Sequence, residues 1–117
     1  MGHVSVEVKL ISPITKNTIT VDSIVDTGAT FTTIPKTISQ KLKLPAIARR
    51  KVRTASGEET LTESYLIIEI LNEKTATPVL INPKLDRVLI GVITLEALAL
   101  KVDPKTGKLE KTELLLL

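Results

Sequence analysis

The sequence predicts a mostly-β protein with one or two short helices, folded as a single domain over residues 1–117. Apolar and polar residues alternate with a period of two along most of the chain, which is the pattern of half-buried strands. Glycine and proline interrupt these stretches at short intervals, as turns between strands require. A chain of 117 residues is long enough for one hydrophobic core and too short for two.

The first part of the chain predicts three strands and a helix. The apolar residues of the first stretch alternate with Ser5, Glu7 and Lys9, and the next stretch is rich in β-branched residues. Pro35 suits the first turn of a helix. We expect strands over 4–10, 18–25 and 30–34, a hairpin connection over 13–17, and a helix over 36–42.

The second part predicts two hairpins and a further helix. Gly57 and Gly107 can take the positive φ that a tight turn demands, and Thr94 is a candidate N-cap. We expect strands over 52–54, 60–71, 78–81 and 88–90, a polar connection over 72–77, a helix over 94–99, and a closing hairpin of 101–103 with 108–110.

Composition excludes several kinds of site. The chain has no cysteine, and its one histidine, His3, lies at the N-terminus. Thiolate metal sites and histidine-based catalytic triads are therefore not expected. No apolar run is long enough to span a bilayer or to act as a signal peptide. We expect a cytoplasmic protein with no membrane partner, no metal and no cofactor.

Asp26-Thr27-Gly28 is the run that points to chemistry. It follows an apolar strand directly, so a tight turn presents the carboxylate just outside a sheet. The tripeptide is weak evidence alone, because it is expected by chance in about 2% of chains this long. A plain turn, in which the aspartate caps its own backbone, remains the alternative.

Three features stand in a particular order along the chain. They are the run Val25-Asp26-Thr27-Gly28-Ala29-Thr30, a hairpin around Ser56-Gly57, and Leu89-Ile90-Gly91 leading into a helix. This order resembles the retropepsin-like aspartic proteases, the single-lobe family that includes retroviral proteases. The ending over 98–104, followed by Gly107, is similar to small cellular and prokaryotic members.

The resemblance implies a small closed β-barrel-like acid-protease lobe that acts as a homodimer. Each chain supplies one catalytic Asp26, and the two carboxylates together activate a water that hydrolyses a peptide bond. Thr27 would hydrogen-bond across the dimer, Gly28 would permit the close turn, and Ala29 would complete the active-site loop. Peptides or partly unfolded proteins are the implied substrates.

The same resemblance assigns further site residues. Residues Thr54, Ala55, Ser56, Gly57 and Glu58 would form a flap that closes over the substrate. Ile90 and Gly91 would form the substrate floor, with Gly91 packing against the catalytic loop. The candidate pocket walls are Val25, Ala29, Thr54, Ala55 and Ile90.

Alternatives remain open. The fold could serve as an inactive binding or dimerisation module. A basic cluster could bind nucleic acid, but a net charge of only +3 and just two aromatic residues, Phe31 and Tyr65, disfavour this. We expect the run 114–117 to form a dimer strand or to pack along an edge, and Asp86-Arg87 to form a salt bridge or an exposed turn. The basic cluster comprises Lys41, Lys43, Arg49, Arg50, Lys51 and Arg53.

Overall fold

The structure is a computed structural model that describes residues 4–114 and residue 116. His3, Leu115 and Leu117 lie outside the described residues, so the expectations that concern them are not addressed by it. In chain order the described elements are β1 (Val4–Ile11), β2 (Thr18–Val25), β3 (Thr32–Ile34), α1 (Lys36–Lys41), β4 (Ala48–Thr54), β5 (Gly57–Ile70), β6 (Glu73–Ile81), β7 (Val88–Ile90), α2 (Val92–Ala97), β8 (Leu100–Val102) and β9 (Leu109–Lys111).

Six of these strands close into a barrel. Their order around the ring is β1-β2-β7-β3-β6-β5, and β5 returns to β1 through the antiparallel pairs from Lys9↔Glu69 to Ile11↔Ile67. The strand β4 pairs with β5 outside the ring, so the two strands extend from the barrel as a hairpin. The strands β8 and β9 form a separate two-stranded sheet. The predicted mostly-β class, with a closed barrel and two short helices, is confirmed.

The core is aliphatic because strand alternation turns one row of side chains inward. On β5, Leu66, Ile68 and Ile70 lie on the inward face and are fully buried, whereas Tyr65 lies on the other face and is exposed. The other ring strands and both helices add Val, Ile and Leu side chains to the same cluster. Burial of each such side chain contributes about 2 kcal/mol of hydrophobic stabilisation, which holds the short strands together.

The predicted polar connection over 72–77 is wrong. This segment is the first part of β6, which pairs with β5 from Ile70↔Glu73 to Thr62↔Ile81. The turn lies earlier, at Leu71 and Asn72, whose φ values are +51° and +67°. Alternate residues of this segment face solvent, and two of the others are threonines. The sequence therefore shows no alternation of apolar and polar residues there, although the segment is a strand.

The projecting hairpin is longer and tighter than predicted. The strand β4 begins at Ala48 instead of residue 52, and β5 begins at Gly57, which leaves Ala55-Ser56 as the turn. The basic residues before Val52 show no alternation of apolar and polar side chains, because the side chains on both faces of this part of β4 are exposed. Gly57 does have the predicted positive φ, at +114°.

The second helix starts two residues before the predicted position. It spans Val92–Ala97 with Gly91 at its N-cap, so Thr94 is not the cap residue. The Thr94 side chain is fully buried and hydrogen-bonds to core threonines instead. The third strand begins at Thr32 instead of residue 30, because the preceding residues belong to the loop after β2. The turn of the closing hairpin has Gly107 at φ +71°, as predicted.

Candidate active site

Asp26 lies where β2 ends, beside the end of β7. These two strands run parallel in the register Ser23↔Val88 to Val25↔Ile90, so both end at the same edge of the barrel. The backbone N–H of Asp26 donates to the carbonyl of Ile90 at 2.9 Å. The next hydrogen bond, from the Ala29 N–H to the Asp26 carbonyl at 3.1 Å, closes the turn. The backbone of Asp26 is therefore held by β7 and by its own turn.

The carboxylate of Asp26 is oriented by its own loop. Its Oδ1 atom accepts a hydrogen bond from the Gly28 N–H at 3.0 Å. A β-carbon at residue 28 would lie 3.3 Å from this oxygen, which is tighter than ordinary contact. Within the described part of the chain, Oδ2 has no hydrogen-bond partner, and the residue is only half-buried. One carboxylate oxygen is thus held while the other is available.

The loop that carries Asp26 packs directly against the start of α2. Here the Val92 N–H donates to the Ala29 carbonyl at 2.8 Å, and the Ile93 N–H donates to the Thr30 carbonyl at 3.0 Å. At Gly91 an added β-carbon would lie 2.5 Å from the carbonyl carbon of Phe31. The predicted packing of Gly91 against the loop after β2 is present in this geometry.

Three buried threonines continue this contact into the core. The Gly91 N–H donates to Thr32 Oγ1 at 3.0 Å, and Thr32 Oγ1 lies 2.6 Å from Thr94 Oγ1. Thr94 Oγ1 is in turn 2.8 Å from Thr77 Oγ1 on β6. Sequence reasoning missed this chain of hydroxyls, because its members are far apart in sequence and threonine is common in strands.

A cleft of about 690 Å³ opens in front of Asp26. Its walls come from the loop after β2, the hairpin of β4 and β5, and the loop between β6 and β7. Its residues are Asp26, Gly28, Ala29, Thr30, Phe31, Thr33, Arg50, Lys51, Val52, Arg53, Thr54, Ala55, Leu61, Leu80, Asn82, Leu85 and Leu89. The cleft combines one carboxylate with apolar walls and several cations.

The candidate pocket walls divide into two groups. Ala29, Thr54 and Ala55 line the cleft. Val25 and Ile90 do not, because both are buried in the barrel core, and their assignment as walls is wrong. The residue of β7 that lines the cleft is Leu89, one position before Ile90. Successive side chains of a strand point to opposite faces, so Leu89 faces the cleft when Ile90 faces the core. Ser56, Gly57 and Glu58 form the far end of the hairpin and are absent from the lining, and Thr27 is exposed.

The hairpin is tied to the loop between β6 and β7. The Thr54 hydroxyl donates to Glu59 Oε2 at 2.8 Å, and Lys84 Nζ lies 3.2 Å from Glu59 Oε1. The hydrogen bond from Thr54, followed by that from Lys84, lowers the pKa of Glu59 below its ordinary value of 4.5. Sequence reasoning did not find this contact. Its members lie on two separate segments that the barrel brings together.

The basic cluster is divided between two parts of the fold. Lys41 lies in α1 and Lys43 follows it, whereas the four other cations are on β4. Arg50 Nε lies 2.5 Å from Glu63 Oε1, and the Arg50 guanidinium is 5.5 Å from the centre of the Phe31 ring. Asp86 and Arg87 are both exposed, and Arg87 Nε lies 3.7 Å from Asp86 Oδ1, which agrees with the salt bridge that was one of the two predicted roles.

Residues 4–114 and 116 contain neither a metal-binding cluster nor a membrane-spanning helix. In this part of the chain no group of three or more His, Cys, Asp or Glu side chains could hold a metal ion. Neither of the helices described there has the length and apolar character needed to cross a bilayer.

Comparison with known proteins decides the family. The model of the family described as "gag-polyprotein putative aspartyl protease" matches residues 12–97, which include the loop of Asp26, the hairpin and Gly91. The chain belongs to this family. It is thus a member of the retropepsin-like aspartic proteases, and the resemblance recognised in the sequence is confirmed.

Two solved structures of foamy viral proteins share the fold. One is the solution structure of the simian foamy virus (mac) protease, with a TM-score of 0.58 and 21% identity over 78% of this chain and 90% of that one. Another is the foamy viral protease-reverse transcriptase in complex with an RNA/DNA hybrid, with a TM-score of 0.62 and 20% identity over 80% of this chain. The match spans 11% of that longer chain. No curated protein matches the sequence.

Proposed function

We propose that the protein is a homodimeric aspartic endopeptidase in which each chain supplies Asp26. The observation that carries the proposal is the Asp26 carboxylate, held by Gly28 on one oxygen and placed at the floor of a large cleft. Membership of the aspartic protease family supports the same reaction. The single-domain organisation over 1–117 and the cytoplasmic location stay predictions.

The proposed reaction needs two carboxylates and one water. Two Asp26 side chains brought together cannot both ionise, so they share one proton. The ionised carboxylate takes a proton from the water, whose oxygen attacks the scissile carbonyl carbon, while the protonated carboxyl donates to the carbonyl oxygen. The tetrahedral intermediate collapses when a carboxyl proton passes to the amide nitrogen, a hydroxyl of the intermediate gives its proton to a carboxylate of the pair, and the C–N bond breaks. The acid and amine products leave, and the two Asp26 side chains again share one proton.

The surface around Asp26 supports the proposed dimer. Thr27 and Gly28 are exposed beside the carboxylate, where a second copy of the loop would meet them. At the other end of the sequence, Leu114 and Leu116 are 65% and 96% exposed. Apolar side chains this exposed favour burial against a partner. We therefore retain the proposal that the chain end contributes to the dimer.

The cleft suits an extended peptide. The hairpin of β4 and β5 overhangs it through Thr54 and Ala55, which we propose as the part of the flap that contacts substrate. An extended peptide would lie beneath this hairpin as an added strand, bound through main-chain hydrogen bonds. Closure of the flap would exclude water other than the reactive molecule. Peptides and partly unfolded proteins can adopt this conformation, so they are the proposed substrates.

The test is cleavage of a mixed peptide pool from acidic to neutral pH, with products identified by mass spectrometry. We expect the wild-type chain to cleave and Asp26→Asn to lose at least about a thousandfold of that rate. Sedimentation on the same samples shows whether they are dimeric. A dimeric wild type that cleaves no peptide contradicts the proposal.

The alternative of an inactive binding module is compatible with the same contact. The hydrogen bond from Gly28 to Asp26 Oδ1 is also what a purely structural turn would contain. In that case Asp26→Asn would change stability and leave no proteolysis to lose. The same peptide experiment separates the two functions.

A further inference from the structure

We propose that Arg50 is a specificity residue that selects peptides with a glutamate or aspartate side chain near the scissile bond. This inference rests on the proposed protease function and adds to it a substrate class. Arg50 lines the same cleft as Asp26, and its position, orientation and free donors each support the assignment.

Strand register places Arg50 on the cleft side of the hairpin. Arg50 lies opposite Leu61, which is buried and also lines the cleft. Because opposite residues of an antiparallel pair share a face, Arg50 and Leu61 lie on one face of the hairpin, and both line the cleft. The neighbouring Arg49 lies opposite Thr62 on the other face, where its Nη1 donates to Thr62 Oγ1 at 2.8 Å. Two adjacent arginines therefore have different surroundings.

Two contacts hold the Arg50 guanidinium in place. Its Nε donates to Glu63 Oε1, and its Cζ lies 5.5 Å from the centre of the Phe31 ring. Phe31 belongs to the loop that carries Asp26, so the cation is positioned relative to the reacting groups. An arginine fixed in this way loses less conformational entropy when it binds a ligand than a mobile one does.

The binding donors of Arg50 are still available. Within the described residues its Nη atoms make no hydrogen bond, and the side chain is 54% exposed. A guanidinium has five N–H donors arranged as a fork, and two parallel N–H groups match the two oxygens of a carboxylate. Glu63 occupies Nε and leaves the Nη groups for a substrate.

The charge of the cleft favours an acidic ligand. Among the described residues that line it, the carboxylate of Asp26 stands against three cations: Arg50, Lys51 and Arg53. Lys51 and Arg53 form no ion pair within the described part of the chain, although Arg53 lies opposite Glu58 in register. A cleft dominated by one sign of charge concentrates ligands of the opposite sign.

The test uses the chain of residues 1–117 and matched peptides. A mixed-sequence peptide library first defines the cleavage sites and the flanking position that accepts an acidic residue best. Peptide pairs with Glu or Gln at that position are then compared by kcat and KM. We expect wild type to favour the Glu peptide about tenfold in kcat/KM, mainly through KM. Arg50→Gln should abolish the preference, and the control Arg49→Gln should keep it.

The outcomes separate this inference from the function on which it rests. Cleavage of both peptides at equal kcat/KM by wild type overturns the role of Arg50 and leaves the protease function standing. An unchanged preference in Arg50→Gln overturns it as well. Absence of all cleavage by a dimeric wild type overturns the protease function itself. If Arg50→Gln does not fold, Arg50→Lys supplies the test, because it keeps the charge and removes the fork. A preference that survives in Arg50→Lys at full strength contradicts the proposal.

Discussion

Gly91 lies so close to Phe31 that a β-carbon on residue 91 would stand 2.5 Å from the Phe31 carbonyl carbon and 2.6 Å from its oxygen. Both atoms belong to the backbone, so no flexible side chain can move aside. The loop after β2 and the segment that opens α2 therefore have one relative position. Since that loop carries Asp26, the contact fixes where the carboxylate lies.

Replacement of Gly91 by alanine should destabilise the fold strongly. The loop and the helix would have to separate, and we expect a loss of about 3 kcal/mol in the free energy of unfolding. Urea unfolding measures it. Gly107→Ala is the control, because its φ is positive but nothing lies within 4 Å of an added β-carbon. That change should cost about 1 kcal/mol. Equal costs for the two variants would show that the contact is not tight.

Removal of the Thr94 hydroxyl should weaken the same region without changing its shape. Thr94→Val keeps the volume and leaves Thr32 and Thr77 without their shared buried partner. We expect a loss of about 2 kcal/mol on urea unfolding. The control Thr60→Val, at an exposed position of β5, should stay within about 0.5 kcal/mol of wild type. A Thr94→Val protein as stable as wild type would mean that the hydroxyl chain contributes little.

The contact of Glu59 with Thr54 and Lys84 should make stability depend on pH. Because these partners lower the pKa of Glu59 in the folded state, its carboxylate stabilises the fold above the ordinary value of 4.5. This contribution is lost as the pH falls through the lowered pKa. Wild type should melt at a higher temperature than Glu59→Gln at about pH 6, and the difference should shrink toward zero at about pH 3.

A control for this pH dependence is Glu58→Gln. Glu58 is the neighbouring carboxylate and forms no ion pair within the described residues. Its replacement should leave the melting temperature close to that of wild type at both pH values. A difference between wild type and Glu59→Gln that is the same at pH 6 and at pH 3 would rule out the assigned contact.

The predictable part of the fold is the part with strong local patterns. The β-branched stretch over 18–25 and the apolar segment over 88–90 predict their strands correctly, and glycine predicts the two turns at Gly57 and Gly107. The start of β6 was missed because its first five residues include no large apolar side chain: Lys74 and Ala76 are exposed, and the others are Glu73, Thr75 and Thr77. The N-cap of α2 was misplaced because the Thr94 side chain forms a buried hydrogen bond with Thr32. A contact between residues so far apart in sequence leaves no local pattern.

The candidate site divides in a similar way. Asp26 and Gly91 could be found from sequence because the loop and the close approach depend on short runs with characteristic residue types. The contact of Glu59 with Lys84, and the position of Arg50 over Phe31, could not be found. They depend on how the hairpin lies against two loops of the barrel, which is a tertiary property. A row of basic residues in sequence did not show which arginine faces the cleft.

The central claim is that one active site needs an Asp26 from each of two chains. Subunit mixing tests it most directly. Wild-type protein, shown by sedimentation to be dimeric, is incubated with a ninefold excess of Asp26→Asn until subunits exchange, and peptide cleavage is then measured. Random pairing leaves about a tenth of the wild-type chains in fully wild-type dimers, so the rate should fall about tenfold. A rate unchanged by the excess of Asp26→Asn would show that each chain acts alone and would contradict the account.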